Sequence, residues 1–337
     1  MAKSLYLPEG YSSALTLRET QHAIKYIKDL FQQTLSFALT LDRVTAPLIV
    51  EKGSGINDDL NGVERKVEFT IKEIDNKEAE VVQSLAKWKR MALYRYGYKP
   101  GEGIYTDMNA IRRDDDTDNV HSIFVDQWDW EKVLTREQRN EEFLKETVKS
   151  IVKAIIYTKR KVSLRYPVLG NTLNDEVFFV TTQELEDRWP DKTPKEREDA
   201  ICKEHGTVFI QKIGGKLASG QRHDGRAPDY DDWALIGDLF FWNEVLQRGF
   251  EISSMGIRVD EKSLASQLAE LGAEDRMQYK FHQMIADGTL PLTIGGGIGQ
   301  SRLCMLLLEK AHIGEVQASI WPQEMIDKCA AAGITLL

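Results

Sequence analysis

Apolar residues three and four apart dominate the first stretch of the chain. Ile24, Ile27, Phe31 and Leu35 follow Thr16-Leu17-Arg18-Glu19, a capping-box pattern, and predict a long helix over about 17–41. The period then shortens to two. Val67, Phe69 and Ile71 alternate with polar neighbours through 66–75, Asp75-Asn76-Lys77 turns the chain, and 78–83 returns as the second arm of a hairpin. Ser84 caps a basic helix over 85–96, and strands follow at 103–112 and 120–130. Val148, Ile151, Val152, Ile155, Ile156 and Val162 then carry a second long helix over about 141–165. Beyond a strand at 176–181, Thr193-Pro194-Lys195-Glu196 combines a capping box with proline at the first helical position, and Gly206 closes that helix. Strands at 207–213, 239–243 and 249–259 precede two helical segments, a glycine-rich stretch and a last apolar helix.

Strands that come in adjacent pairs, rather than alternating with helices, predict an α+β (α/β) fold with a mainly antiparallel sheet flanked by helices. Nothing reads as a linker, repeat or low-complexity tract, so 1–337 is expected to form a single catalytic domain. One segment stands apart. Residues 214–237 are rich in Gly, Asp and Arg and lack apolar periodicity. Loops of such length in compact domains are functional or disordered, and Tyr230, Trp233 and the arginines favour a functional one.

Composition narrows the partners. The formal net charge is −9 and no Lys/Arg block exceeds three residues, which argues against a polyanion but leaves room for a basic pocket holding one nucleotide. Cys202, Cys304 and Cys329 are far apart and show no metal spacing, as in a reducing cytoplasm. Residues 1–10 lack the basic region and apolar run of a signal peptide, and no apolar stretch nears the roughly 20 residues of a membrane span. A cytoplasmic protein with no membrane or nucleic-acid partner is expected.

Chemistry gathers in three places. In 120–131 a period of two puts Gln127, Asp129 and Glu131 on one face and Phe124, Asp126, Trp128 and Trp130 on the other. Such a polar row can recognise an amine or organise a cation, although a solvated strand face has the same pattern. In 250–258, Glu251, Ser254 and Arg258 lie on a second strand, where Glu251 and Ser254 share a face only across a bulge, placed near Gly256. The third is Thr293-Ile294-Gly295-Gly296-Gly297-Ile298-Gly299-Gln300-Ser301-Arg302-Leu303, read as a strand end, a glycine turn and a helix start. It is neither a Walker A loop nor a dinucleotide fingerprint, and taken alone it fits a tight turn as well as a nucleotide site. The six histidines are scattered without ligand spacing, so a hard cation such as Mg²⁺, held by carboxylates and substrate phosphates, fits better than a histidine-bound metal.

Together these segments resemble class II aminoacyl-tRNA synthetases of the aspartyl/asparaginyl branch. Arg112, Phe124, Gln127, Asp129 and Glu131 look like their motif 2, 295–303 looks like motif 3, and Glu251-Ile252-Ser253-Ser254 resembles the strand bearing a nucleotide- and metal-binding acid. The chain is more similar still to the ammonia-dependent asparagine synthetases, the aspartate–ammonia ligases, which are such a core without tRNA. That resemblance runs through 53–62, 84–90, 126–131, 226–233 and the glycine run. It implies attack of the aspartate β-carboxylate on the α-phosphate of ATP, release of pyrophosphate, and displacement of AMP by ammonia. It also implies roles for individual residues. Arg112 and Arg302 would hold phosphates, with Arg258 and Gly297 also at the nucleotide, and Glu251 and Asp238 would hold Mg²⁺ and ATP. Ser84 and Lys89 would bind the α-carboxylate of aspartate, Asp129 and Asp231 its α-ammonium, with Ser254 alongside and Gln127 at the side-chain end. Asp58 would hold ammonium and accept its proton. A homodimer is implied, with the amphipathic first helix as a candidate interface. A tRNA synthetase would need an anticodon-binding barrel, for which about fifty residues before Gly53 are too few. A glutamine-dependent synthetase would need a cysteine nucleophile, and the chain starts Met1-Ala2-Lys3. A non-catalytic relative would be expected to lose the arginines, yet Arg112, Arg258 and Arg302 are all present.

Overall fold

The capping box at Thr16 forms as expected in the computed structural model, which describes residues 5–58, 60, 64–170 and 172–337. Thr16 accepts from the Glu19 amide, Glu19 reaches back to the Thr16 amide, and α1 (Leu17–Leu39) follows with Ala23, Ile24, Ile27, Phe31 and Leu35 buried along one stripe. Thr40, at φ 59°, turns the chain into β1 (Leu41–Arg43). Next come β2 (Ile49–Glu51) and the hairpin of β3 (Glu68–Ile71) and β4 (Lys77–Val81), which pair in the order β2-β4-β3 as a small separate sheet. The basic helix, α2 (Ala86–Tyr96), starts one residue later than predicted, with the Ser84 hydroxyl accepting from the Ala86 amide at 3.2 Å.

Two long strands, β5 (Gly103–Ile111) and β6 (Phe124–Val133), lead to α3 (Glu141–Arg165), which packs on α1. Then follow β7 (Phe178–Thr181), α4 (Thr182–Arg188), α5 (Pro194–His205), β8 (Thr207–Gln211), β9 (Asp231–Asn243) and β10 (Arg248–Arg258). The chain closes with α6 (Glu261–Leu271), α7 (Lys280–Ala286), β11 (Thr293–Gly299), α8 (Gln300–Leu307) and α9 (Gln323–Ala331).

The main sheet runs β1-β5-β6-β11-β10-β9-β8-β7. Its interior pairings are antiparallel, but β1 pairs with β5 and β7 with β8 in parallel, so the sheet is mixed at both edges. The physical reason is the connection: β7 reaches β8 through α4 and α5, a helical crossover rather than a tight turn. Two further readings are corrected. The loop expected over 214–237 ends at 230, because Asp231 begins β9 opposite Arg258 of β10. The glycines at 295–297 form no turn. They lie inside β11, paired with β6 on one side and β10 on the other.

One face of this sheet makes the core. Trp128 and Trp130, on the face opposite Gln127 and Asp129, are fully buried with Phe209, Phe241 and Phe250, and Trp128 meets Phe31 of α1 at a ring distance of 4.8 Å. Two such tryptophans remove several hundred Å² from water and tie α1 to the sheet. The segment ahead of α1 folds back to close the far end. Asn119 accepts from the Tyr6 amide and donates to the carbonyls of Tyr6 and Ala311, each at 2.8 Å. Glu315 accepts from the Tyr11 hydroxyl and from the amides of Ala311 and His312.

His312 is fully buried there, its Nδ1 accepting from the Gly314 amide at 3.0 Å, and burial pushes its pKa down to about 4. The unfolded chain therefore takes up this proton first as pH falls. The stability that neutral His312 contributes is present above about pH 6.5 and is lost on the way to about pH 4, a change on the order of 3 kcal/mol. His312→Gln keeps an acceptor without the titration and should show a smaller fall in Tm between pH 7 and pH 4.5. An identical fall in both proteins would show that His312 does not govern the acid limb.

Candidate active site

The other face of the sheet carries a cleft of about 880 Å³. Its floor is made by the polar faces of β6, β11 and β10, and its walls come from Asp58, Leu60 and Glu64, from the segments at 84–86, 112–121 and 224–231, and from Arg302 at the start of α8. The pairing register builds one transverse row. Asp129 lies opposite Gly297, Gly297 opposite Ser254, and Ser254 opposite Asp238. Gln127 and Glu131, two residues either side of Asp129 on the same strand, share its face.

Glycine on β11 is what lets these side chains lie down. A Cβ at Gly297 would collide with the Gln127 side-chain oxygen, and one at Gly295 would collide with the Glu131 carboxylate and approach Arg258 Nη2 to 2.6 Å. None of these glycines has a positive φ, so the need is for space rather than for a turn. The bulge that brings Glu251 and Ser254 to one face sits at Ile252, which the pairing with β9 skips, and not near Gly256, where a second irregularity, between Gly256 and Arg258, lies beyond both residues. Both Glu251 and Ser254 line the cleft.

The cleft has two ends of different electrostatic character. At one end, Arg258 is buried, with Nη2 2.8 Å from Glu131 and Nη1 against Asp231. Lys89 is also buried, its ammonium bound by Asp129 and by the Trp130 carbonyl at 2.9 Å, with Glu131 at 3.7 Å. Asp58 joins this end from its loop. Burial pushes the carboxyls of Asp129, Asp231 and Asp58 up, against the pull of Lys89, Arg258 and Lys87 respectively. Arg258, expected at ATP, pairs with Glu131 and Asp231 at the end of β10 away from Glu251, and Lys89, expected on a substrate carboxylate, is bound by Asp129.

At the other end, Arg302 lies 3.3 Å from the Glu251 carboxylate and donates to the Glu251 carbonyl at 3.2 Å. Arg112 donates to the Gln83 carbonyl at 3.4 Å, and its buried Nε has no partner among the described residues. Arg226 bridges Asp224 and Asp238, at 2.5 Å from each. Asp238 is pushed well above the usual carboxylate range by burial, with Glu251 adding to it and Arg226 opposing. Glu251 is held down, against its own burial, by Arg302 and Arg226. One Asp238 oxygen, Oδ1, is buried without a hydrogen-bond partner among the described residues.

Ser84, Arg112, Gln127, Asp129, Asp231, Glu251, Ser254, Gly297 and Arg302 thus share one cleft with Asp58. Asp59, Asn61 and Gly62 of the loop at 53–62 lie outside the described residues. Sequence reasoning marks Tyr230 and the arginines of 214–237 as functional without giving Arg226 or Tyr230 a role, although both are in the wall, and it misses the buried pair Lys87 and Asp229 behind it at 2.7 Å. Their positions in the 84–90 and 226–233 segments are the only signal, and the partner of each charge follows from the fold alone.

Solved structures define the class. The chain resembles the asparaginyl-tRNA synthetase from Pyrococcus horikoshii complexed with asparaginyl-adenylate, with TM-score 0.62 and 16% identity over 90% of this chain and 70% of that one. The aspartyl-tRNA synthetase from Entamoeba histolytica gives TM-score 0.59 at 15% identity, covering 88% of this chain and 57% of that one. The fold is that of a class II synthetase catalytic core. Within that class the sequence is more specific. The family profile described as Aspartate-ammonia ligase matches residues 18–333. The Aspartate--ammonia ligase of Clostridium tetani is 58% identical over 336 residues, 100% of this chain and 98% of that one. The protein of the same name from Lactobacillus acidophilus is 60% identical over 334 residues, 99% of each. The chain belongs to the aspartate–ammonia ligase family.

The floor geometry yields a direct test. Gly295→Ala sets a methyl group against Glu131 and Arg258, and overpacking of this kind costs about 1–3 kcal/mol. A lowered Tm together with a raised KM for the amino-acid substrate is expected. A variant unchanged in both would show that the Glu131–Arg258 pair has room to spare.

Proposed function

We propose that this protein makes L-asparagine from L-aspartate and ammonia with ATP, through a β-aspartyl-adenylate, releasing AMP and pyrophosphate. The observation that carries this reading is the pairing of two lobes in one cleft. One lobe holds four carboxylates, Asp58, Asp129, Glu131 and Asp231, against the two cations Lys89 and Arg258. The α-ammonium of aspartate and an ammonium ion supply the positive charge that this lobe lacks. The other lobe presents Arg112 and Arg302 to a polyphosphate.

Chemistry of this kind is positioning and charge stabilisation. The aspartate α-ammonium lies between Asp129 and Asp231, with Ser84 and Ser254 as hydroxyl partners. Gln127 faces the β-carboxylate. Lys89 and Arg258 act from beneath, orienting the acids rather than touching ATP. The Arg112 Nε, free in this structure, donates to the α-phosphate as the β-carboxylate oxygen attacks phosphorus and the bond to pyrophosphate breaks. Adenine lies between Phe124 and Arg302, which both line the cleft. The orphaned Asp238 Oδ1 beside Glu251 suits a hard divalent cation, held by two carboxylates plus substrate oxygens. Mg²⁺ there would neutralise phosphate charge.

We also read the protein as a homodimer. Phe37 at the end of α1 is 91% exposed, Leu48 is 54% exposed, and the β1 strand between them is an edge of the main sheet. Apolar residues beside an open edge favour a second copy as cover. No helix among the described residues is long and apolar enough to cross a membrane.

Incubation with ATP, Mg²⁺, aspartate and ammonium should yield AMP, pyrophosphate and asparagine without tRNA. ADP and phosphate would overturn the adenylate route. Arg302→Ala should lower aspartate-dependent ATP–pyrophosphate exchange on the order of a hundredfold, the usual scale for one lost phosphate-stabilising donor. Near-normal exchange would remove Arg302 from the nucleotide site.

A further inference from the structure

Four buried polar atoms near the Asp58 loop have no hydrogen-bond partner among the described residues. They are Asp58 Oδ2, both side-chain atoms of Gln83, and Arg112 Nε. Their residues are neighbours. Asn57 Oδ1 accepts from the amides of Asp58 at 3.0 Å and Gln83 at 2.8 Å, so one oxygen fixes both backbones. The Asn57 amide is itself held by Glu80 and the Val81 carbonyl, each at 3.0 Å. The Gln83 carbonyl in turn receives Arg112. Gly55, at φ +71°, lays the incoming loop on Tyr279, where a Cβ would come within 2.5 Å of the ring.

Gln83 has no exposed surface at all, yet neither end of its amide is satisfied. An amide buried in that condition costs a few kcal/mol and calls for a small polar guest. The Arg112 Nε has the α-phosphate as its partner in the reaction proposed above. Gln83 Oε1 is an acceptor without a partner among the described residues, and the Asp58 carboxylate, which the Tyr230 hydroxyl engages, keeps acceptor capacity at Oδ2. A guest with several donors and no acceptor matches them, and ammonium is that species among the reactants.

We propose that Gln83 completes the ammonia site, its Oε1 accepting a hydrogen bond from the ammonium that Asp58 holds. This rests on reading Asp58 as the ammonium-binding acid. Ammonium gives one proton to Asp58, and the freed lone pair attacks the β-carbonyl carbon of the adenylate. The new C–N bond forms, the C–O bond to AMP breaks with its electron pair on the phosphate, and the nitrogen sheds its extra proton to water at the cleft mouth. Gln83 takes no proton. It fixes the nitrogen so that its lone pair points at the carbonyl carbon.

Steady-state kinetics at saturating ATP and aspartate test this with Gln83→Met, similar in length but without the amide. Its KM for ammonium should rise about tenfold, the loss of one hydrogen bond to a charged group, while ATP–pyrophosphate exchange without ammonium stays close to wild type. Gln83→Glu keeps an oxygen acceptor and should recover a low KM. An unchanged ammonium KM in Gln83→Met, or a parallel loss of exchange in both variants, overturns the proposal. Asp58→Asn separates the two readings: it should raise the ammonium KM and spare exchange. If it does so while Gln83→Met has no effect, Gln83 alone is excluded. An unchanged KM in Asp58→Asn removes the Asp58 reading itself.

Discussion

Buried negative charge without matching positive charge is the constraint around which the cleft is built. Asp58, Asp129, Glu131 and Asp231 are each at most 5% exposed; among the described residues Lys89 and Arg258 pair directly with the last three, and Lys87, which pulls on Asp58, is itself bound by Asp229. Taking carboxylates out of water costs several kcal/mol apiece unless cations and hydrogen bonds compensate. The upward-pushed carboxyls of Asp58, Asp129 and Asp231 are that deficit made visible. On the function proposed above, a substrate carrying an ammonium group would relieve that deficit. Stability given up in this way becomes selective affinity for amines.

The opposite lobe inverts the arrangement, and one strand reconciles the two. Arg112, Arg226 and Arg302 surround the carboxylates of Glu251 and Asp238, with anionic phosphates as the expected guests. Between the lobes runs β11, whose glycines present almost nothing but backbone. Side chains there would fill the space over which Gln127 and Glu131 now lie and would lift any substrate away from the row joining Asp129 to Asp238. A carboxylate bound at one end and a phosphate bound at the other can meet only across such a bare floor.

Local interactions make much of this arrangement legible in the sequence. Thr16, Thr193 and Gly206 cap the helices that their motifs predict, because a capping box is an interaction that short segments already contain. The alternation in β6 separates Gln127 and Asp129 from Trp128 and Trp130 for an equally local reason, the pleat. The failures are non-local. Asp231 to Gly237 reads as loop because both faces of β9 are largely covered there, which erases alternation. The glycine run reads as a turn because glycine marks turns far more often than it marks a crowded central strand. The pairing of Lys89 and Arg258 with acids on β6 and β9 is equally invisible in the sequence, because no spacing rule connects those residues to them.

The bulge at Ile252 shows how little backbone irregularity separates a scaffold from a site. In a regular strand Glu251 would point to the side opposite Ser254, toward the core that already holds Phe250 and the tryptophans of β6. The residue left unpaired at Ile252 shifts the parity, so Glu251 reaches Arg302 and stands near Asp238 while Ser254 keeps its place in the row with Gly297 and Asp129. Both lobes can thus be furnished from one strand. In the proposed reading the nucleotide end takes its acid from before the bulge, and the amino-acid end takes its hydroxyl and Arg258 from after it. Removing the irregularity would leave every residue type in place and still pull the two half-sites apart.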